Sequence, residues 1–334
     1  PMRLPPLLVF FLVCHFTAIG AASAAVQRER GEVASAPTPP RDERLPLWPA
    51  RVPGERDAPG TAREVERSSN PTQPDRYVDR VDAPWLAVYS PPPQRANGKA
   101  LLVIPGGGYQ RVVIDKEGTE LVPEWVDRAG YTLFVLRYRL PEPGRDREAA
   151  LADAQRAMRV IRHAAAPRGL DAQQVAVMGF SAGGHVAARL ATGFDHAAYP
   201  PGDAVDRLSA RPSQAVLVYP VIDMGASAHA GSRQRLLGRD PTAQDIARYS
   251  MQQQVRADMP PVMLLHAADD AVVHADNSLL MAQALDRAGV DHELHVFGRG
   301  GHGFGMRTRA DATAALWPAL VQRWLLPTPH KDTP

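Results

Sequence analysis

Three stretches of this chain carry residue types and spacings suited to acyl transfer. The first is Gly179-Phe180-Ser181-Ala182-Gly183-Gly184. It follows Val175-Ala176-Val177-Met178, a short apolar run that reads as a buried strand. It precedes His185-Val186-Ala187-Ala188-Arg189-Leu190-Ala191, which reads as a helix ending at Gly193. A G-x-S-x-G at a sharp strand-to-helix turn projects the serine hydroxyl from a strained backbone. Small neighbours let strand and helix approach closely, and the helix N-terminus brings N–H groups and partial positive charge beside the hydroxyl. The motif alone also describes an ordinary glycine-rich turn; the flanking strand and helix favour a nucleophile at Ser181.

A nucleophilic serine needs a base, a group that orients the base, and donors for the oxyanion. Two later loops, each directly after a predicted strand, offer the first two. Ala268-Asp269-Asp270-Ala271-Val272-Val273 follows the strand ending at His266. Asp270 is the preferred acid, because it sits just before the chain turns back toward the next helix; Asp269 is its rival. Both could instead cap that helix. Asp223, after Pro220-Val221-Ile222, lies early for the acid. Gly298-Arg299-Gly300-Gly301-His302-Gly303-Phe304-Gly305 follows the last predicted strand. Glycines on both sides give His302 the freedom to turn inward as the base. His185 is expected to pack or cap in the elbow helix, and His274 is an alternative base in principle only.

The oxyanion requires one N–H after the nucleophile, from Ala182, and another from a glycine loop after an early strand. Pro105-Gly106-Gly107-Gly108-Tyr109 supplies Gly107 and Gly108. Three successive glycines cost backbone entropy, which a need for close approach explains better than a plain turn. Tyr109 directly follows these glycines, so its ring is expected beside the acyl group as a substrate-binding residue. No histidine forms a recognisable metal-ligand spacing. Neither a metal nor an organic cofactor is expected.

The elements that must position these groups alternate. Strands are predicted at 85–89, 99–104, 132–136, 175–178, 215–219, 262–266 and 293–297. Helices are predicted at 120–128, 147–166, 242–254, 277–287 and 310–325, with an irregular insertion from the strand at 219 to about Asp240. Such alternation implies an α/β fold, a largely parallel sheet with helices on both faces. The catalytic domain is expected over 76–326. Residues 25–75, rich in proline and arginine, read as a linker or irregular extension. Within them Leu45-Pro46-Leu47-Trp48-Pro49 is an apolar island able to dock on the body.

Arg3, the apolar run from Leu7 to Ile19 and the small residues Ala22-Ser23-Ala24 match a secretory signal peptide over 1–24. The chain is therefore expected to be exported, to the periplasm or the medium, and to have no membrane attachment after cleavage. Cys14, the sole cysteine, leaves with that segment, so export implies no disulfide framework. The formal net charge of +2 is too small to suggest a nucleic-acid partner.

Further motifs carry a family resemblance: Ile104 to Tyr109, Lys116-Glu117-Gly118, Arg137-Tyr138-Arg139-Leu140-Pro141, Gly179 to His185, Tyr219-Pro220-Val221-Ile222, Gly231-Ser232-Arg233 and Gly301 to Gly305. From about Leu47 to Leu325 the chain resembles secreted bacterial α/β-hydrolases of the acetyl esterase and acetyl xylan esterase type, relatives of the hormone-sensitive-lipase and feruloyl-esterase groups. The resemblance implies a triad of Ser181, Asp270 and His302, in the chain order of that fold. It implies a small-molecule or oligosaccharide ester as substrate. General short-chain esterases and feruloyl esterases are the neighbouring readings. A prolyl-oligopeptidase-type peptidase is disfavoured, since no propeller-sized region precedes the catalytic residues. A binding protein on a hydrolase scaffold is the reading from another class, and the presence of all three triad residues opposes it. Two departures stand out. Pro105 occupies the place where lipase types carry a histidine, and Ser250-Met251-Gln252 stands where Ser-Asn-Glu is common.

Overall fold

The computed structural model describes residues 43–49, 51–54, 62–142 and 146–325. The expected signal peptide, Cys14 and much of the proline-rich stretch lie outside the described residues.

Eleven strands occur among the described residues: β1 (Glu43–Pro46), β2 (Glu64–Glu66), β3 (Arg76–Val78), β4 (Trp85–Tyr89), β5 (Ala100–Ile104), β6 (Val112–Val113), β7 (Thr132–Arg137), β8 (Val175–Phe180), β9 (Ala215–Val218), β10 (Val262–Ala267) and β11 (His292–Phe297). The helices are α1 (Ala149–His163), α2 (Ser181–Thr192), α3 (Ala230–Leu237), α4 (Ala243–Tyr249), α5 (Asp276–Ala288) and α6 (Trp317–Trp324). The main sheet runs β1-β4-β7-β5-β8-β9-β10-β11. From β7 onward neighbouring strands are parallel, while β4 is antiparallel to both β7 and β1. This is the mostly parallel α/β-hydrolase sheet.

Its central strands are apolar throughout because both faces are covered. In β5, Leu101 and Val103 face one hydrophobic cluster, and Ala100, Leu102 and Ile104 face the other. The first cluster holds Trp125, Trp317 and Val321; the second takes Met158 and Ile161 of α1, Val186 and Leu190 of α2, and Met281 and Leu285 of α5. Two covered faces leave the strand ends as the place where polar loops can gather.

Several elements depart from the sequence-based expectation. Residues 43–46, inside the supposed linker, form β1 at the sheet edge, where Pro46 is tolerated because one side of the strand needs no partner. The neighbouring island docks: Leu47 is buried, its carbonyl accepts from Arg156 Nε at 2.8 Å, and Trp48 Nε1 donates to Asp153 at 3.2 Å. Residues 64–66 form β2, which joins β3 and β6 in a separate antiparallel sheet. The insertion before Asp240 contains α3, hidden by Gly231 and Ser232 in its first turn and by the unusual cap His229, which accepts from Ser232 N–H. The helix expected over 242–254 breaks at Ser250, whose extended backbone (ψ 105°) frees its hydroxyl for Met224 N–H and Asp223. The last helix is regular only from Trp317, because Pro318 has no N–H to give and suits a first turn. Residues 120–128 become a 3-10 turn and a π-helical turn that meet at Pro123.

Candidate active site

Ser181 is the first residue of α2, directly after β8, with φ +52°, a left-handed conformation rare for a residue with a side chain. Such a residue costs about 1–3 kcal/mol and persists only when its surroundings enforce it. Val221 N–H donates to the Ser181 carbonyl at 3.0 Å. At Gly183 a Cβ would lie 2.2 Å from the Ile104 carbonyl oxygen and 2.4 Å from that of Pro105. Only glycine there lets α2 press directly onto the end of β5. The serine is thus held against the loop that follows β5.

The loops after β10 and β11 meet Ser181. Its Oγ is 2.9 Å from His302 Nε2, and His302 Nδ1 is 2.7 Å from Asp270 Oδ2. The carboxylate at Nδ1 favours the proton there and leaves the Nε2 lone pair to accept from the serine. Asp270 Oδ1 accepts Val272 and Val273 N–H, both at 2.9 Å. His266 adds a contact to Oδ2 at 3.4 Å, while its ring bonds Ser278 Oγ and the Val273 carbonyl. Burial opposes the charge on Asp270, but the two histidines and these N–H groups hold its carboxyl well below the usual range.

Asp269, the rival, is spent elsewhere: its Oδ1 accepts Gly300 and Gly301 N–H at 2.9 and 2.8 Å. It shapes the loop that presents His302. Asp223 accepts from Ser227 N–H, Ser250 Oγ and Gln252 Nε2 at 2.9, 3.2 and 2.8 Å. The Ser250-Met251-Gln252 segment therefore fastens onto Asp223 in a structural cluster apart from the serine. His274 is exposed beside Asp276.

Gly107 has φ +133°, and a Cβ there would lie 2.2 Å from the Arg111 carbonyl oxygen. Its own carbonyl accepts Gln110 and Arg111 N–H at 3.1 and 3.3 Å. Gly106 N–H donates to Glu117 Oε2 at 2.8 Å, and Tyr138 Oη donates to the Pro105 carbonyl at 2.9 Å. Among the described residues, the N–H groups of Gly107 and Gly108 find no protein acceptor, and both residues line the cleft with Ser181 and His302. Ala182 stands in the first turn of α2, where N–H groups lack an intrahelical acceptor.

Tyr109 is not where the sequence suggested. Its ring is 1% exposed, it does not line the cleft, and its hydroxyl meets His185 Nδ1 at 2.7 Å. Its φ of +60° turns the side chain inward from the glycine loop, so it packs beneath the loop rather than beside an acyl group. His185 Nε2 in turn contacts the Tyr249 carbonyl at 2.8 Å. Burial first, then the Arg189 charge, pull the imidazole down to about 3 from 6.5. The unfolded chain therefore takes up this proton near pH 6.5, and the folded chain only near 3. Stability contributed by neutral His185 is complete above that window and is lost on acidification through it, by at most about 1.4 kcal/mol per pH unit. His185→Gln is expected to flatten the decline of unfolding free energy between about pH 6 and 4. Denaturant titrations across that range check this; parallel declines in both proteins would reject it.

Sequence reasoning missed a bridge between the two loops. Glu117 accepts from Gly106 N–H through Oε2 and from Tyr219 Oη through Oε1, the latter at 2.9 Å. Tyr219 Oη also accepts Gly305 N–H at 3.0 Å, and the Tyr219 ring stands 5.2 Å from the His302 ring in edge contact. Burial, then Glu117, push this phenol well above its ordinary value, so it stays a neutral donor. The only signal in the chain was the presence of Glu117 and Tyr219 in the resemblance motifs. Tyr219→Phe leaves Gly305 N–H and one Glu117 oxygen unpartnered. It is expected to cost about 1–3 kcal/mol of stability and to lower turnover, as read by urea unfolding and ester kinetics. Unchanged stability would show that the bridge carries no weight.

The cleft at Ser181 has a volume of about 340 Å³. Its walls include Gly303 beside the base and also His229, Arg111, Lys116 and Glu117, to which the sequence had assigned no part in the site. A second cavity of about 520 Å³ shares Gln110 and Gly231 with it and extends toward Arg147 and Arg235. Among the described residues no cluster of histidine, cysteine and carboxylate side chains could hold a metal, and no helix is long and apolar enough to cross a membrane.

Comparison with known proteins gives this geometry a context. The BD-FAE family profile matches residues 86–285, which contain Ser181 and Asp270. The chain belongs to the BD-FAE family. The profile of the Dienelactone hydrolase family matches residues 248–324 of this BD-FAE member, a range that includes His302. The chain is 32% identical over 249 residues to an acetylxylan esterase of Xylanibacter ruminicola, covering 72% of this chain and 48% of that protein. It is 37% identical over 205 residues to endo-1,4-beta-xylanase B of Butyrivibrio fibrisolvens, covering 61% of this chain and 32% of that protein. The BD-FAE chain thus spans between a third and a half of the curated relatives it matches. Among solved structures, it superposes with a TM-score of 0.71 on an acetyl ester-xyloside bifunctional hydrolase from Caldicellulosiruptor lactoaceticus, at 34% identity, covering 85% of this chain and 96% of that one.

Proposed function

We propose that this chain is a serine carboxylic ester hydrolase that removes acetyl groups from carbohydrate, on xylan or xylo-oligosaccharides, through an acyl-enzyme. The observation that carries the hydrolase part is the continuous contact Asp270–His302–Ser181, at 2.7 and 2.9 Å, beside unengaged backbone N–H groups. Ser181 Oγ attacks the ester carbonyl as His302 Nε2 takes its proton. Asp270 holds the imidazole and stabilises its charged form. The N–H groups of Gly107, Gly108 and Ala182 bind the oxyanion, one such donor lowering the barrier by ~3 kcal/mol. His302 returns the proton to the leaving alcohol. It then takes a proton from water as the water oxygen attacks the acyl carbon, and returns that proton to Ser181 Oγ as acetate leaves.

The acetyl and xylan parts draw support from the similarity to proteins named acetylxylan esterase and acetyl ester-xyloside hydrolase. The two adjoining cavities that share Gln110 and Gly231 suit a leaving group longer than one sugar. Export is proposed on the amino-terminal run alone. The test is an activity panel of acetylated xylan, acetylated xylo-oligosaccharides, feruloyl esters and 4-nitrophenyl acetate and octanoate. Acetylated xylo-oligosaccharides are expected to lead. Preference for octanoate or for feruloyl esters would overturn the acetyl reading.

A further inference from the structure

The cleft beside Ser181 carries more positive charge than its own carboxylates answer. Arg67, Arg111 and Lys116 line it, and the carboxylate among its lining residues is that of Glu117. Glu117 is already engaged, one oxygen by Gly106 N–H and the other by Tyr219 Oη. Arg67 pairs with Asp75 at 2.8 Å. Among the described residues, Arg111 and Lys116 meet no carboxylate. Arg111 instead lies over the Tyr77 ring, 5.0 Å from its centroid, on the ring that Arg67 also covers at 5.4 Å. Asp115, next to Lys116 in the chain, is buried and bound by Arg76 and Thr119, and Asp270 is buried and committed to His302 and to Val272 and Val273 N–H.

Arg111 and Lys116 both line the cleft that holds Ser181 and His302. The Arg111 carbonyl and Cγ lie where a Cβ of Gly107 would stand, so Arg111 is packed against the glycine loop while its guanidinium lies over Tyr77. Lys116 Nζ lies 3.0 Å from where a Cβ of Gly303 would stand, which sets the ammonium against the residue next to His302. His302 must hand its proton to the leaving alcohol, so the alcohol part of an ester lies on the His302 side, under Lys116. Two cations without a carboxylate partner in one cleft raise the local concentration of anions and reward a carboxylate that reaches both. We infer that the cleft recognises a carboxylate on the alcohol part of its ester: the acetylated saccharide it takes carries a uronic acid residue, held by Lys116 and Arg111. This rests on the esterase reading above and adds the charge of the substrate to it.

The test compares kcat/KM for acetylated xylo-oligosaccharides with and without a uronic acid branch, with 4-nitrophenyl acetate and 4-nitrophenyl hemisuccinate alongside. At low salt the wild type is expected to favour the acidic oligosaccharide by about tenfold or more, and the ratio is expected to shrink as salt screens the charges. Lys116→Met and Arg111→Met should each bring the ratio several-fold closer to one. Arg309→Gln, which removes a cation that sits in an exposed pair with Asp311 and does not line the cleft, should leave the ratio as in wild type. Equal rates on acidic and neutral oligosaccharides, with acetate esters still hydrolysed, would overturn the inference and leave the esterase reading standing. A preference for hemisuccinate over acetate would place the carboxylate on the acyl side and overturn it too. Absence of any ester hydrolysis would overturn the esterase reading and the inference with it.

Discussion

Replacing Ser181 with alanine is expected to lower ester hydrolysis by about four orders of magnitude or more while the protein still folds. The loss follows from the single atom removed. Without Oγ no covalent intermediate forms, and His302 has no serine proton to move. What remains is water attack assisted by the N–H groups of Gly107, Gly108 and Ala182, which accounts for the residual rate such variants show. Stability should change little. The hydroxyl makes one hydrogen bond, to His302, and the main-chain bond from Val221 N–H to the Ser181 carbonyl survives the change. Alanine at φ +52° is strained to much the same degree as serine. Hydrolysis of 4-nitrophenyl acetate, with a thermal melt of each protein, measures both halves. A variant that keeps a tenth or more of the activity would remove Ser181 from its role.

Asp270→Asn is expected to reduce kcat by roughly 10⁴-fold, and Asp269→Asn by less than about tenfold. The adjacent carboxylates differ in what they hold. Asp270 Oδ2 accepts from His302 Nδ1, and an amide there would present N–H instead. The imidazole would then carry its proton on Nε2, facing Ser181, with no lone pair to take the serine proton. The turn itself would survive in Asp270→Asn, since the amide carbonyl oxygen can still accept Val272 and Val273 N–H. Asp269 accepts two backbone N–H groups with one oxygen, and an amide carbonyl can do the same. Equal losses, or the reverse order, in steady-state kinetics of the two variants would contradict this division of labour.

The neighbouring aspartates also show how far the sequence reached. Order and position preferred Asp270, but only the register of β10 against β11 brings its oxygen to His302 and sends Asp269 to the Gly300-Gly301 amides. Tyr109 shows the opposite outcome. Adjacency to the oxyanion glycines suggested a wall of the acyl pocket, yet its left-handed backbone sends the ring into the core.

The sequence by itself determined the groups whose meaning is local. The strand–turn–helix around Ser181 is written in consecutive residues, because burial, close approach and the turn all act within a few positions. The mostly parallel sheet followed from apolar runs separated by helical periods. The glycines around His302 and after β5 announced loops with unusual backbone freedom. What tertiary structure alone decided are pairings between residues distant in the chain, where no local pattern constrains the partner. Pro46 hid an edge strand, since its cost depends on whether a neighbour needs its N–H. Glu117 joins Gly106 to Tyr219 and thereby to Gly305, linking two loops that lie far apart in sequence through a shared carboxylate. Nothing local in the sequence marked the charges of Arg111 and Lys116 as a pair; folding placed both at one cleft without a carboxylate partner, because charge compensation is a property of space and not of sequence.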